Sequence, residues 1–211
     1  MVDRWAVYVE GLEGLGDVAD MSSATKLNIV RAVNATTARF RKRGADLILG
    51  DINLPAHYLN PAAKRLYVAS KATRGNMESI IRARGRPTSL ARYITSREAD
   101  NVGVTVKVNQ DKPARKLPRA FLVKLPQGRG PVDTQFNLGL AIRLGKGQRI
   151  RNKRHLVQLD QGLYLLYGPS VDQLFINATG SRAGEGVASE MTPDMLDFLQ
   201  NEFLRLMELD L

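Results

Sequence analysis

His57 and His155 are the only histidines in the chain; one lies shortly after Pro55 and the other in a run of Lys and Arg. Neither has a second ligand at metal spacing, so no metal site is expected. The absence of cysteine removes both a thiolate zinc site and a disulfide framework. Ser170 follows Gly168-Pro169, but the phrase lacks the Gly-x-Ser-x-Gly elbow that presents a nucleophile, and it reads as a turn residue or helix cap. Gly145-Lys146 is not preceded by the glycines of a phosphate loop. Gly11, Gly14 and Gly16 follow the apolar run Trp5–Val9 without the dinucleotide spacing. Carboxylates concentrate at the two ends of the chain, whereas a two-metal nuclease needs several converging on one site. No enzyme activity and no cofactor are expected.

What remains is charge. Between Lys112 and Leu159 there are twelve Lys/Arg against a single acid, Asp133. The stretch is nevertheless patterned. Phe121, Val123 and Leu125 alternate with Leu122 and Lys124, and Leu138, Leu140, Ile142 and Leu144 alternate with Gly139, Ala141 and Arg143. Such alternation marks half-buried strands. A formal charge of +10 over 211 residues points to nucleic acid, an anionic surface or an acidic protein partner. Aromatics are sparse and not interleaved with the cations, so contact with nucleic acid would be to phosphates without base stacking. Candidate DNA-facing or partner-facing cations are Lys146, Arg149, Arg151, Lys153 and Arg154 in one loop, with Arg82, Arg84 and Arg86 in a second. No run approaches the roughly 18 apolar residues of a membrane span. The N-terminus lacks a basic region followed by an apolar stretch, so a soluble, cytoplasmic protein without a signal peptide is expected.

These residues need positioning elements. The spacing of Ile29, Val33, Thr37 and Phe40 predicts a helix over 22–43, capped by Ser22 and stopped by Gly44 or Gly50. Leu66–Ala69 and Met77–Ile81 flank Thr73-Arg74-Gly75-Asn76 as a hairpin, whose second arm is expected to end in a mobile basic tip at Arg82–Pro87. Ser89–Ser96 reads as a helical turn and Val102–Val108 as a strand with one buried face. Residues 109–118, with two prolines and no period, read as a flexible loop, as do 145–154 and 180–190. Leu163–Leu166 is a last short strand. Tyr167, Gly168, Pro169 and Ser170 form a structural turn, in which Gly168 precedes a proline and so avoids the helical region. Thr192-Pro193-Asp194 opens a C-terminal helix with Leu196, Leu199, Phe203 and Leu206 as its apolar stripe. The expected fold class is α+β: one domain over 1–211, with a mainly antiparallel sheet of short strands, a long N-terminal helix and a C-terminal helix.

The order of these segments resembles the minor tail protein Z family of tailed bacteriophages, from about residue 22 to the C-terminus. It runs through Leu54-Pro55, Ile80-Ile81-Arg82-Ala83, Val102–Val108, Arg119-Ala120-Phe121, Leu138–Arg143 and Tyr167-Gly168-Pro169-Ser170 to the final helix. The individual motifs are short; the loop at 145–154 and the linker Gly180–Gly186 fall outside the pattern. The resemblance implies a structural virion protein at the neck, assembled in the host cytoplasm. It would complete the head-proximal end of the tail and help join tail to head. It implies a homo-oligomeric, hexameric ring whose neighbours are a tail terminator or tube protein and neck or connector proteins, with phage DNA passing through the channel and no membrane.

The charge is also split along the chain. From Val187 onward there are six acids and one basic residue, Arg205. Asp197, Glu202 and Glu208 are therefore candidate subunit-interface residues, set against a basic face of the next copy. The alternative from the same charge is a sequence-independent nucleic-acid-binding protein, which high-affinity binding by the isolated chain would favour.

Overall fold

The computed structural model describes residues 4–7, 21–97, 103–125, 138–145, 156–160, 162–176 and 186–209. The fold is α+β, with a long N-terminal helix, a C-terminal helix and antiparallel sheets of short strands. The chain divides into two compact units. The first comprises Met1–Ile48, Ala56–Gly85 and Val171–Leu211, and the second Leu49–Pro55 and Arg86–Ser170.

In the first unit, α1 spans Ser23–Asp51, its last turn belonging to the second unit. Ser22 caps it, its Oγ accepting from the Thr25 N–H at 3.1 Å. Ile29, Val33, Thr37 and Phe40 are all buried, as their spacing requires. The two buried threonine hydroxyls donate one turn back, Thr36 to the Ala32 carbonyl at 2.8 Å and Thr37 to that of Val33 at 2.7 Å. The helix does not stop at Gly44. That glycine is buried inside it, and a Cβ there would lie 2.5 Å from Cε2 of Phe175 and 3.1 Å from Cε of Met191. Close packing against these two side chains, rather than termination, explains the missing side chain.

The short segment after Pro55 is two 3-10 turns, Ala56–Leu59 and Pro61–Ala63. Two arginines hold it. Arg41 donates to the carbonyls of Leu59 and Leu66, and burial lowers the proton affinity of its guanidinium, an effect that Asp46 partly offsets. Arg65 donates to the Tyr58 carbonyl at 3.0 Å and stacks 4.0 Å above the Tyr58 ring. A three-stranded sheet follows, ordered β1 (Arg4–Val7), β3 (Ser79–Ala83), β2 (Leu66–Ser70), all antiparallel. The hairpin closes where expected, Thr73 and Asn76 exchanging backbone bonds of 2.7 and 3.1 Å. The side-chain amide of Asn34 pairs with both backbone groups of Ala72, at 2.9 and 3.1 Å, and so fastens the hairpin to α1. Ala72 thereby enters the apolar cluster of Ile29 and Val33.

Helix α2 (Val171–Phe175) sets Phe175 edge-on to Phe40, with ring centroids 5.9 Å apart and an interplanar angle of 82°. Helix α3 runs Val187–Glu208, beginning before the expected Thr192 start. Buried Ala188 and Met191 supply an apolar stripe that extends upstream of Pro193, so packing overrides the proline signal. The proline is accommodated near the N-terminal end, where its missing N–H removes a single bond.

In the second unit, β4 (Thr88–Ser89) leads into a 3-10 turn at Leu90–Tyr93, capped by Ser89 Oγ accepting from the Ala91 N–H at 3.3 Å. Strands β5 (Ile94–Arg97), β6 (Val104–Val106) and β7 (Arg115–Leu117) make an antiparallel sheet in that order. Val104 and Val106 are buried as the alternation requires, but the strand is shorter than expected, and Val102 lies outside the described residues. β7 corrects the reading of 109–118 as a loop: Pro113 and Pro118 bracket the strand instead of preventing it. A second antiparallel sheet holds β8 (Ala120–Lys124), β9 (Leu138–Arg143), β11 (Leu163–Gly168) and β10 (Leu156–Asp160), with β4 paired to the far end of β11. Gly139, Leu140 and Ala141 are consecutively buried, so the centre of β9 is covered on both faces. Gly162, at a φ of +71°, turns the chain between β10 and β11.

Candidate interaction surfaces

Helix α3 carries the candidate interface carboxylates, and its seat on α1 fixes which of its faces is outward. Leu199 and Phe203 pack on the Ile29, Val33 and Ala72 cluster. Asn28 Nδ2 donates to the Leu206 carbonyl at 3.1 Å. Arg39 sits 4.3 Å over the Phe198 ring, and Arg43 approaches Asp194 at 3.6 Å. The seated stripe is thus Ala188, Met191, Met195, Leu199, Phe203 and Leu206. Leu196, expected within it, points outward instead and is 59% exposed. The cause is helical phase: Met191 and Met195 shift the centre of the buried face one position upstream of the leucine pattern.

The outward face therefore combines apolar and acidic groups. Leu196, at 59%, and Leu204, at 50%, are the large exposed apolar residues within α3. Asp197 and Glu208 are exposed beside them and form no ion pair among the described residues. Glu202 differs. It accepts two bonds from Arg205 of its own helix, at 2.9 and 2.7 Å, and these lower its proton affinity. Of the three proposed interface carboxylates, two are uncommitted and the third already has an intrahelical partner.

Of the basic candidates, Arg82, Arg84 and Arg86 are among the described residues. Lys146, Arg149, Arg151, Lys153 and Arg154 lie outside the described residues. Arg82 is exposed within β3, opposite Arg4 and Tyr67. Arg84 donates its N–H to the Arg65 carbonyl at 2.8 Å and accepts from the Asp172 N–H at 3.2 Å. The segment Arg82–Arg84 is therefore held in a sheet and its continuation, which corrects the expectation of a free basic tip. Its alternation of Arg with buried Ala83 was strand periodicity. Arg86 is exposed and belongs to the second unit.

The Tyr167–Ser170 phrase also divides. Tyr167 and Gly168 are strand residues paired with Ser89 and Thr88, while Pro169 and Ser170 connect β11 to α2. Positive φ occurs among the described glycines only at Gly103 and Gly162, so Gly168 is not required for a left-handed turn. A Cβ at Gly168 would instead lie 3.0 Å from Cε2 of the buried Tyr93 ring.

Sequence reasoning missed β7, because its flanking prolines hid a strand whose three residues, Arg115-Lys116-Leu117, are too few to show a period. His57 is exposed in the first 3-10 turn, and His155 lies outside the described residues. Among the described residues no three His, Asp or Glu gather as a metal site, and no helix is long and apolar enough to cross a membrane. Comparison with protein-family models, curated proteins and solved structures finds no match to this chain.

Proposed function

We propose that the chain is a structural virion protein of a tailed phage, one that completes the head-proximal end of the tail and helps join tail to head. In this reading copies form a ring around the DNA channel, against tail terminator or tube proteins on one side and neck proteins on the other. The observation that carries the assembly part is the outward face of α3, where Leu196 and Leu204 stand beside the uncommitted carboxylates Asp197 and Glu208. An acidic helix on a chain whose net charge is +10 offers a complement to a basic surface of a neighbouring subunit. Each exposed pair contributes about 0–1 kcal/mol, so repetition around a closed ring supplies the cooperativity.

The test is the double reversal Asp197→Lys/Glu208→Lys, which spares the Glu202–Arg205 pair. The variant is expected to fold as the wild type does and to be missing from purified particles, which then lose infectivity. Infectious particles carrying the variant at normal copy number would remove these carboxylates from the joint. Infectious particles formed without the protein would end the tail-completion reading itself.

A further inference from the structure

Two outward rows of the first unit match in length and oppose in charge. On α1, Arg31, Ala35, Ala38 and Lys42 recur at intervals of four, three and four residues, which sets them in one row along the helix. Arg31, Ala38 and Lys42 are exposed and Ala35 is half-buried. On α3, Asp197, Asn201, Leu204 and Glu208 recur at the same intervals, and all four are exposed. In each row the charged residues stand at the ends, eleven residues or roughly 16.5 Å apart, with uncharged residues between them. One row ends in two cations, the other in two carboxylates. Neither row takes part in the packing of α3 on α1. That packing runs through Leu199 and Phe203 on Ile29 and Val33, through Arg39 over Phe198, and through Arg43 at 3.6 Å from Asp194. Arg31, Lys42, Asp197 and Glu208 form no ion pair among the described residues. Between Ser23 and Ala45 α1 carries no acid; Asp46, exposed one turn beyond Lys42, is the nearest on that helix.

We propose that the α1 row is the seat for the α3 row of a second copy of this chain. Laid side by side, the rows bring both cations opposite both carboxylates at once, in either direction of the second helix. Ala35 and Ala38 leave room at the centre for Leu204, since the side chains at a contact set how closely two helices approach. A second copy is favoured over an unrelated partner because one chain carries both halves of the complement with the same spacing. Pairing α3 with α3 would set carboxylate against carboxylate, which is unfavourable, so the contact joins unlike surfaces. The inference rests on the assembly part of the reading above, in which Asp197 and Glu208 meet a neighbouring subunit, and it supplies the surface that they meet.

The chain has no cysteine, so single introduced thiols report the contact. Two preparations of the full chain are mixed in concentrated solution and oxidised with diamide, one carrying Ala35→Cys or Ala38→Cys and the other Leu204→Cys. A disulfide forms only where the Cβ atoms come within about 4.5 Å. A linked dimer of the two unlike variants is expected from at least one mixture, and the better-linking alanine position gives the direction of the second helix. Ala62→Cys, exposed in the 3-10 turn Pro61–Ala63, replaces the α1 thiol as the control and is expected to link poorly. Adding Asp197→Lys/Glu208→Lys to the α3 partner, or Arg31→Glu/Lys42→Glu to the α1 partner, is expected to lower the yield about tenfold. Both reversals together, one on each partner, are expected to restore it, a result that misfolded chains cannot give. No excess over the control, a yield indifferent to either reversal, or no restoration would each overturn the inference. Exclusion of the α3 variant from particles without any cross-link in solution would overturn this seat and leave the tail reading standing, the carboxylates then meeting another protein. A charge-dependent cross-link alongside infectious particles that lack the protein would support the seat and end the tail reading.

Discussion

Replacing Gly44 by alanine tests whether packing, and not helix termination, put a glycine in the middle of α1. On an exposed helix face the change would stabilise by about 1 kcal/mol, from propensity alone. At Gly44 the new Cβ meets Cε2 of Phe175 at 2.5 Å. The ring cannot swing aside freely, because Phe175 is fully buried and stands edge-on to Phe40. Overpacking of this kind costs about 1–3 kcal/mol. The net expectation is destabilisation by up to about 2 kcal/mol. Urea unfolding followed by far-ultraviolet circular dichroism measures it. A double-mutant cycle isolates the contact: Phe175→Leu alone destabilises, but Gly44→Ala in that background should cost less than in the wild type, by about 0.5–3 kcal/mol. Gly50, in the same helix with nothing within 4 Å of its would-be Cβ, provides the contrast. There alanine is expected to be neutral or stabilising by about 0.5 kcal/mol. Equal stabilisation at both glycines, or a cycle without coupling, would refute the packing argument.

Two further expectations concern single side chains. Asn34→Ala removes both bonds to the Ala72 backbone and leaves a partly buried N–H and carbonyl unpaired, at a cost of about 1–3 kcal/mol, and hydrogen exchange at Ala72 should accelerate. The Glu202 carboxyl, its proton affinity lowered chiefly by its bond to Arg205, should titrate below the ordinary glutamate range. Its contribution is therefore present above the unfolded-state pKa and fades as pH falls through the folded one. Carbon-13 titration of wild type against Arg205→Ala checks this, and an unchanged midpoint would remove the pair as the cause.

The sequence was most legible where one period ran uninterrupted through a buried face. Ile29, Val33, Thr37 and Phe40 placed α1, Val104 and Val106 placed β6, and Gly75-Asn76 placed the hairpin turn. It misled where a residue's usual local meaning was overridden by a tertiary neighbour. Gly44 resembled a stop signal because Phe175 and Met191, far away in sequence, are invisible to a local reading. Pro193 resembled a helix start because the upstream seat of Ala188 and Met191 carries no local signature. Prolines 113 and 118 hid β7, whose three residues are too few to show a period. For the candidate surfaces, residue types revealed the acidity of α3 but not that Glu202 is already satisfied by Arg205 or that Leu196 faces outward.

The arrangement of the first unit also bears on how the chain can be made. Its core needs contributions from both ends of the chain: Asn28 bonds the Leu206 carbonyl across a separation of 178 residues. During synthesis α1 emerges early, yet the helix that covers Ile29 and Val33 is translated after the whole of the second unit. At about 5–20 residues per second, that apolar face waits on the order of 10–30 s for its cover. The second unit, contiguous but for Leu49–Pro55, can complete its hairpins in that interval. A nascent chain arrested before Val187 would thus display an unsatisfied helix surface. Demand for a holdase in the cell should track the translation rate of the middle of the message more closely than the stability of the finished protein.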